Sequence, residues 1–329
     1  MDAKAPDKGC PYDCGLCTEH LRKGCCMLLE LTNRCNLRCP VCFAAAGEKP
    51  ERDLSLEQIG EQYDFLMAHG GPFNIQLSGG EPTLRDDLPE IIRLGRDKGF
   101  EVFQLNTNGL RLASEAGYAQ GLKAAGLNTV FLQFDGLEDS VYITLRGRAL
   151  LETKLRAIDS CAKAGLGIVL VPVIAPGVND GQVGDIIRFA LERMPEVRGV
   201  HFQPISYFGR CGLERPGLPI TIPRMLRLIE AQTGGMMKYA DFGGGGAENP
   251  YCSFHASYMR RRTAASRHWS ARARPVAAAP GQTIPGSSWQ TSGAARPARG
   301  GNRTGICGRP PRWTSFSVRP GSAPLPCRG

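Results

Sequence analysis

The sequence predicts an α/β fold with a parallel sheet, because strand-like apolar runs alternate with helical patterns from residue 27 to residue 204. Six strand–helix units can be counted in this range. Cysteine-rich and glycine-rich motifs follow the first two strands, at the end of a parallel sheet where ligands collect. The predicted strands are residues 27–32, 73–78, 101–106, 129–134, 167–173 and 199–203.

The helices between these strands have recognisable starts and apolar faces. The first begins at a capping box formed by Ser55 and Gln58 and ends at Gly70. Two later helices are predicted from apolar residues at helical spacing, which are Leu151, Leu155, Ile158 and Cys161 in one and Val183, Ile186, Ile187 and Ala190 in the other. This spacing places Cys161 in the core and argues against a ligand role.

The composition of the 329 residues fits one large α/β domain with an appendage, since 42% of them are hydrophobic. We expect a cytoplasmic protein, because the first residues lack the apolar segment of a signal peptide and no apolar run is long enough to span a bilayer. In that compartment thirteen cysteines indicate metal binding or catalysis rather than disulfides. Eight of them lie between Cys10 and Cys42.

Residues 261–329 differ in composition from the rest of the chain. They hold twelve of the 40 basic residues, all of them Arg, and no acidic residue, so residues 1–260 have 28 basic and 31 acidic groups. The net charge of +9 therefore comes from the tail, and no nucleic-acid partner is expected for the body. The tail is also rich in Ala, Gly and Pro without hydrophobic periodicity, which predicts disorder.

Two interpretations of this tail stay open. An Arg-rich disordered arm could bind an anionic surface. The complete lack of Lys, Asp and Glu beside abundant Arg, Ala, Gly, Pro and Trp is also typical of GC-rich DNA translated out of frame, so a frameshift within residues 259–262 is the second hypothesis. The predicted regions are a Cys-rich segment (1–26), the α/β body (27–204), a C-terminal extension (205–260) and the tail (261–329).

The loop after the first strand carries Cys35, Cys39 and Cys42 with C-x3-C-x2-C spacing. A cubane iron–sulfur cluster is bound by cysteine thiolates, and a short irregular loop can place three of them around one cluster. Three ligands leave one iron open for another molecule. The alternative is a structural zinc site, but such a site normally has four ligands in paired motifs.

A second motif, Ser78-Gly79-Gly80-Glu81-Pro82, follows the second strand. Glycines allow a backbone to approach a neighbour closely, and the Glu81 carboxylate could bind an ammonium group. Alone this sequence would be an ordinary turn. Placed about forty residues after the cysteines, it is far more specific.

With both motifs, residues 27–203 resemble the radical S-adenosylmethionine (SAM) superfamily. The resemblance implies a partial (βα)6 barrel in which Cys35, Cys39 and Cys42 bind a catalytic [4Fe–4S] cluster, whose open iron binds SAM. It implies a 5′-deoxyadenosyl radical that abstracts hydrogen from unactivated carbon, with reduced flavodoxin or ferredoxin as electron donor. SAM-binding roles are implied for Gly79, Gly80, Glu81, Pro82, Asn106, Asn108, Gln133, Asp135 and Arg146, with Gln133 and Asp135 near the ribose and Arg146 near the SAM carboxylate. Asn108 could instead belong to an ordinary turn, and Arg146 could be a surface charge.

An upstream set of cysteines repeats the same spacing in Cys10, Cys14 and Cys17, and Cys25 offers a fourth thiolate. We expect an auxiliary [4Fe–4S] cluster here, because four thiolates suit electron transfer better than SAM binding. A zinc site is the alternative.

Residues 9–43 and the segment Cys252-Ser253-Phe254-His255 resemble a radical SAM group with further iron sites. This group contains archaeal tetraether lipid synthase and bacterial relatives that include pterin methyltransferases. The resemblance suggests Cys252 as a ligand in such a site, which a frameshift after residue 259 would leave incomplete.

The predicted function is radical SAM activation of an sp3 carbon–hydrogen bond, for lipid carbon–carbon coupling or methyl transfer on a lipid or small-molecule substrate. The alternatives are a radical SAM maturase acting on a peptide or cofactor precursor, a non-catalytic iron–sulfur electron carrier, and the inactive product of a truncated gene.

Overall fold

The computed structural model describes residues 26–47, 52–214, 218–244, 253–262, 267–271 and 313–318. Its strands are β1 Cys26–Thr32, β2 Val41–Cys42, β3 Asn74–Gly79, β4 Phe103–Thr107, β5 Thr129–Gln133, β6 Gly167–Val171, β7 Val173–Ile174, β8 Val197–Pro204, β9 Arg210–Cys211, β10 Gly243–Gly244, β11 Phe254–Arg262, β12 Arg267–Ala271 and β13 Trp313–Val318. Its α-helices are α1 Leu56–Ala68, α2 Leu88–Asp97, α3 Leu110–Ser114, α4 Tyr118–Ala125, α5 Asp139–Arg146, α6 Leu151–Lys163, α7 Val183–Glu192 and α8 Ile222–Gln232.

The main sheet confirms the predicted α/β fold. Strands β1, β3, β4, β5, β6 and β8 are neighbours in chain order, and each pairs with the next in parallel. They are the six strands predicted from the sequence, with ends that differ by a few residues. This order, with helices between successive strands, is that of a partial (βα)6 barrel.

The two faces of this sheet have different character. One face is apolar and buried under the helices, with side chains such as Leu31, Leu77, Leu105, Leu132 and Leu170. The other face, here called the inner face, is half-buried and mixed in character: it carries apolar Phe131, Val169 and Val171, and its amide side chains belong to Gln76, Gln104, Asn106, Gln133 and Gln203. Because side chains alternate along a strand, the same residues that form the core fix these amides toward the inside of the barrel.

The predicted helix features are also present. Ser55 and Gln58 form the capping box of α1, with the Ser55 hydroxyl accepting from the Gln58 N–H and the Gln58 side chain accepting from the Ser55 N–H. Cys161 is buried in the main core, and burial raises its pKa to about 12. The prediction that Cys161 is a core residue is therefore confirmed. Among the residues that the structure describes, no helix is both long enough and apolar enough to cross a bilayer.

The sheet continues beyond β8 into the C-terminal part of the chain. Strand β13 pairs in parallel with β8 and antiparallel with β11, and β10 and β12 both pair with β11. Residues 261–262, 267–271 and 313–318 of the tail are therefore in strands, where the sequence predicts disorder. The rest of the tail lies outside the described residues, and so do residues 1–25.

Candidate functional site

The cysteine loop leaves the carboxyl end of β1. Cys35 and Cys39 lie on irregular backbone and Cys42 lies in β2, and all three are half-buried free thiols. Burial raises the pKa of Cys35 and of Cys39, and the other thiols of the loop raise both further. The three thiols lie on one short loop at the end of β1, which is the arrangement that a shared cluster would use.

A segment from far along the chain holds this loop in place. Strand β9 pairs antiparallel with β2, and the Arg210 guanidinium donates to the carbonyl oxygen of Cys39 over 2.7 Å. Gly209 packs so closely that a side chain there would overlap the carbonyl oxygens of Cys42 and Phe43. The sequence analysis did not identify Arg210, because a contact across 171 residues leaves no local pattern.

The glycines of the second motif also contact the loop. A side chain at Gly79 would overlap the Thr32 carbonyl, and one at Gly80 would overlap the Arg34 carbonyl. The Gly80 N–H donates to Thr32 O and the Glu81 N–H donates to Arg34 O, over 2.7 and 2.9 Å. The close approach that the glycines permit is therefore to the base of the cysteine loop, which fixes the loop against β3.

The Glu81 carboxylate is buried between the ends of β3 and β4. Its oxygens accept from the hydroxyls of Thr83 and Thr107 and from the N–H of Thr83 and Asn108, over 2.7–3.1 Å. The Asn108 side chain in turn donates to Asn36 in the cysteine loop. Pro82, also buried, begins the short 3-10 turn that follows. These contacts give Glu81 a structural role that the sequence analysis did not predict.

A buried ion pair lies beside the cysteines. Asp135, at the end of β5, accepts two hydrogen bonds of 2.7 Å from the Arg146 guanidinium, and Arg146 also donates to Val41 O over 3.0 Å. The positive charge of Arg146 opposes the effect of burial on the pKa of the Cys39 thiol. Asp135 and Arg146 are both buried. The alternative that Arg146 is a solvated surface charge is therefore wrong.

Lys154 of α6 is a second buried cation that the sequence analysis missed. Its ammonium donates to Asn108 O over 2.6 Å and to Gln133 Oε1 over 2.8 Å. Burial lowers its pKa to about 8, although nearby Asp135 acts in the opposite direction. Lys154 is three residues after Leu151 and four before Ile158, so helical spacing places it on the apolar face of α6; a lysine is rarely fully buried, and its residue type hid this signal.

The remaining predicted residues either lie on the inner-face strands or fall outside the described residues. Asn106 lies on the inner face, where it accepts from Gln76 over 2.7 Å and donates to Ser78 over 3.2 Å. Gln133 joins Lys154 and Asp135 at the end of β5. Five predicted metal ligands lie outside the described residues: Cys10, Cys14, Cys17, Cys25 and Cys252.

Within the described ranges, no three His, Cys, Asp or Glu side chains are arranged to hold one metal ion. The chemistry of the donor set fits an iron–sulfur cluster, because cysteine thiolates bind such clusters and three of them lie on one loop. The Arg146–Asp135 pair is bonded to the same loop through the Val41 carbonyl.

A family profile described as "Radical SAM superfamily" matches residues 29–190, which contain the cysteine loop, the glycine motif, the ion pair and Lys154. The chain belongs to the radical SAM superfamily. Enzymes of this superfamily use a [4Fe–4S] cluster and SAM and need an external reductant, so the resemblance inferred from the sequence is confirmed at this level.

Relatives of known activity add detail. The chain is 46% identical over 239 residues to the 7,8-dihydro-6-hydroxymethylpterin dimethyltransferase of Methanocaldococcus jannaschii, which covers 71% of this chain and 47% of the relative. It is 33% identical over 197 residues to the GTP 3',8-cyclase of Paenarthrobacter nicotinovorans, covering 58% and 55%. The chain thus spans about half the length of these relatives.

Solved radical SAM structures share the fold. SuiB of Streptococcus suis bound to S-adenosylmethionine superposes with a TM-score of 0.54 at 16% identity, covering 64% of this chain and 47% of that one. The protein anSMEcpe with bound AdoMet gives 0.50 at 17% identity, covering 64% and 60%. These similarities support the partial barrel.

Proposed function

We propose that this radical SAM enzyme transfers methyl groups to a pterin-class ring. Similarity to the pterin dimethyltransferase supports the reaction class. The observation that carries the proposal is the inner face, where half-buried amides line the sheet beneath the cysteine loop. Because this chain spans only about half of that relative, we infer the substrate of this chain from the properties of the inner face.

In this proposal Cys35, Cys39 and Cys42 hold the cluster, with its fourth iron open to SAM. When bound, the cluster and SAM supply an electron and a 5′-deoxyadenosyl radical that can abstract hydrogen from an unactivated carbon. Residues at the strand ends place SAM between the loop and the inner face. Among them, Asn106 and Gln133 have side chains on that face.

The inner-face amides favour a polar ring over a lipid chain. Gln76 and Asn106 already form a bonded pair, and Gln104 lies beside Gln76 in the register of β3 and β4. An alkyl chain would remove water from these amides without replacing its hydrogen bonds, at about 1–3 kcal/mol for each unpaired group. A pterin presents ring nitrogens, a carbonyl and an amino group that can pair with them. Near β3 and β4 these amides therefore favour methyl transfer to a pterin over lipid carbon–carbon coupling, the other predicted outcome, while Phe131, Val169 and Val171 of β5 and β6 offer an apolar surface to the ring faces.

The other predicted components stay proposals. An auxiliary [4Fe–4S] cluster at Cys10, Cys14, Cys17 and Cys25 would pass electrons toward the SAM cluster, with Cys252 in a further iron site. Reduced flavodoxin or ferredoxin would supply the electrons. Iron and sulfide analysis of a Cys10→Ala variant tests the auxiliary cluster, since one cluster's content of four irons and four sulfides should be lost.

The experiment uses anaerobically reconstituted full-length protein, reduced with dithionite in the presence of SAM. One SAM is reductively cleaved to methionine and the 5′-deoxyadenosyl radical, which removes a hydrogen atom from the pterin, and a second SAM gives its methyl group and leaves as S-adenosylhomocysteine, with two electrons supplied by dithionite. With 7,8-dihydro-6-hydroxymethylpterin we therefore expect 5′-deoxyadenosine, S-adenosylhomocysteine and a methylated pterin, detected by mass spectrometry. A saturated-lipid acceptor in vesicles serves as the comparison. Deuterium transfer from a labelled lipid, with no methylated pterin, would contradict the proposal and favour lipid coupling. Cluster formation without any 5′-deoxyadenosine would favour the electron-carrier alternative.

A further inference from the structure

The contacts of Arg146 suggest a role other than binding the SAM carboxylate. Its Nε and Nη2 atoms both donate to Asp135, and Nη1 donates to the Val41 carbonyl. The side chain is 8% exposed and Asp135 is 0% exposed. All three nitrogen atoms are therefore engaged by groups of the protein, and the guanidinium plane is held in one orientation.

That orientation brings the cation to the cysteine loop. Val41 lies between Cys39 and Cys42, so the bond to its carbonyl fixes Arg146 against the segment that joins two of the ligands. Positive charge beside a cluster stabilises its reduced form, which carries one more negative charge than the oxidised cluster.

We propose that Arg146 is a positioning residue that sets the reduction potential of the SAM-binding cluster through its positive charge, which its bond to the Val41 carbonyl holds against the segment between Cys39 and Cys42, with Asp135 limiting its effect. This inference rests on the assignment of Cys35, Cys39 and Cys42 as cluster ligands. It does not depend on the methyl acceptor, because the potential is a property of the enzyme without substrate.

The buried charges around Cys39 determine how substitutions act. Asp135 and Arg146 together have no net charge, and the Lys154 ammonium lies on the other side, bonded to Asn108 and Gln133. Arg146→Gln leaves one uncompensated negative charge near the cluster, whereas Asp135→Asn leaves one uncompensated positive charge. The double variant restores neutrality. The two single substitutions should therefore shift the potential in opposite directions.

The test is a redox titration of the reconstituted holoenzyme without substrate, followed by the EPR signal of the reduced cluster. At the wild-type midpoint we expect a reduced-to-oxidised ratio about tenfold lower in Arg146→Gln, equivalent to a shift of about 59 mV to lower potential. Asp135→Asn should raise that ratio, and the double variant should lie between the singles. Arg156→Gln, on the exposed surface of α6, is the matched control and should leave the ratio unchanged.

Some outcomes would overturn the proposal. One is a full iron content with no shift in either single variant, and another is a shift of both in the same direction. If Arg146→Gln does not retain its cluster, Asp135→Asn decides, because an unchanged potential there contradicts the role of charge. The proposal would also be overturned if both single variants and the double variant lost the cluster while keeping a native circular dichroism spectrum. The Arg146–Asp135 pair would then be needed only for cluster assembly.

Discussion

The end of the barrel beside the cysteines and its inner face are built in different ways. At the barrel end, Glu81, Asp135, Arg146 and Lys154 are buried charges, and each is bonded to other groups of the protein. On the inner face the polar groups are neutral amides that are only half-buried. The difference indicates that the barrel end holds permanent parts of the site in fixed positions. The inner face keeps polar groups available for a molecule that comes and goes.

The largest predicted effect separates ligand cysteines from core cysteines. Cys39→Ala should remove the SAM-binding cluster and lower 5′-deoxyadenosine formation at least a hundredfold, because three thiolates are needed to hold the cubane. Cys161→Ala is the control, since its thiol lies in the apolar core. It should lower stability while keeping the cluster, as measured by iron content and by SAM cleavage. Equal iron content in the two variants would contradict the ligand assignment.

A second prediction concerns the buried charge of Lys154. Its folded pKa is about 8, compared with an ordinary value of 10.5, so the folded state binds fewer protons than the unfolded state between these values. The contribution of Lys154 to the free energy of unfolding should therefore rise with pH across that range, by roughly 3 kcal/mol. Below pH 8 the cost of burying the charged ammonium is fully present.

Denaturant unfolding of wild type and Lys154→Met at several pH values measures this dependence. The difference in unfolding free energy should move in favour of the wild type as the pH rises from about 8 to about 10.5. A difference that is constant over this range would show that Lys154 is not the buried cation described here.

A third prediction tests the close packing at the barrel end. Gly80→Ala should destabilise the protein by about 2 kcal/mol and lower its cluster content, because the new methyl group would overlap the Arg34 carbonyl. Gly121→Ala, in α4, is the control, since a methyl group there meets no atom within 4 Å. It should leave stability unchanged or raise it by up to about 1 kcal/mol. If both substitutions have the same effect, packing against the cysteine loop is not what requires Gly80.

The smallest predicted effect lies on the inner face. Gln104→Leu should raise the KM for the pterin substrate about tenfold, which corresponds to about 1.4 kcal/mol of lost binding, and should leave cluster content unchanged. Gln120→Leu makes the same change at an exposed position of α4 and should have no effect. An unchanged KM in Gln104→Leu would mean that the substrate does not contact this face.

Much of the barrel could be predicted from the sequence because local patterns encode it. Short apolar runs between helical patterns identified the six strands, and the cap at Ser55 depends on a neighbour three residues away. The cysteine and glycine motifs were recognisable because each is contiguous. Cys161 was predicted as core from its helical spacing.

The contacts that position the site could not be predicted in this way. Arg210 reaches Cys39, and Arg146 reaches Val41, across more than a hundred residues. The helical spacing of Lys154 places it on the buried face of α6, but only tertiary packing places its ammonium against Asn108. For the same reason, the backbone that approaches Gly79 and Gly80 was identified only in the folded structure.

The most direct test of the central claim is electron–nuclear double resonance on the reduced enzyme, using SAM labelled with ¹⁵N in its amino group and ¹⁷O in its carboxylate. The account predicts hyperfine coupling of both labels to the cluster, because the cluster held by Cys35, Cys39 and Cys42 has one iron free to bind them. If SAM binds with no coupling while four protein thiolates ligate that cluster, the account is contradicted.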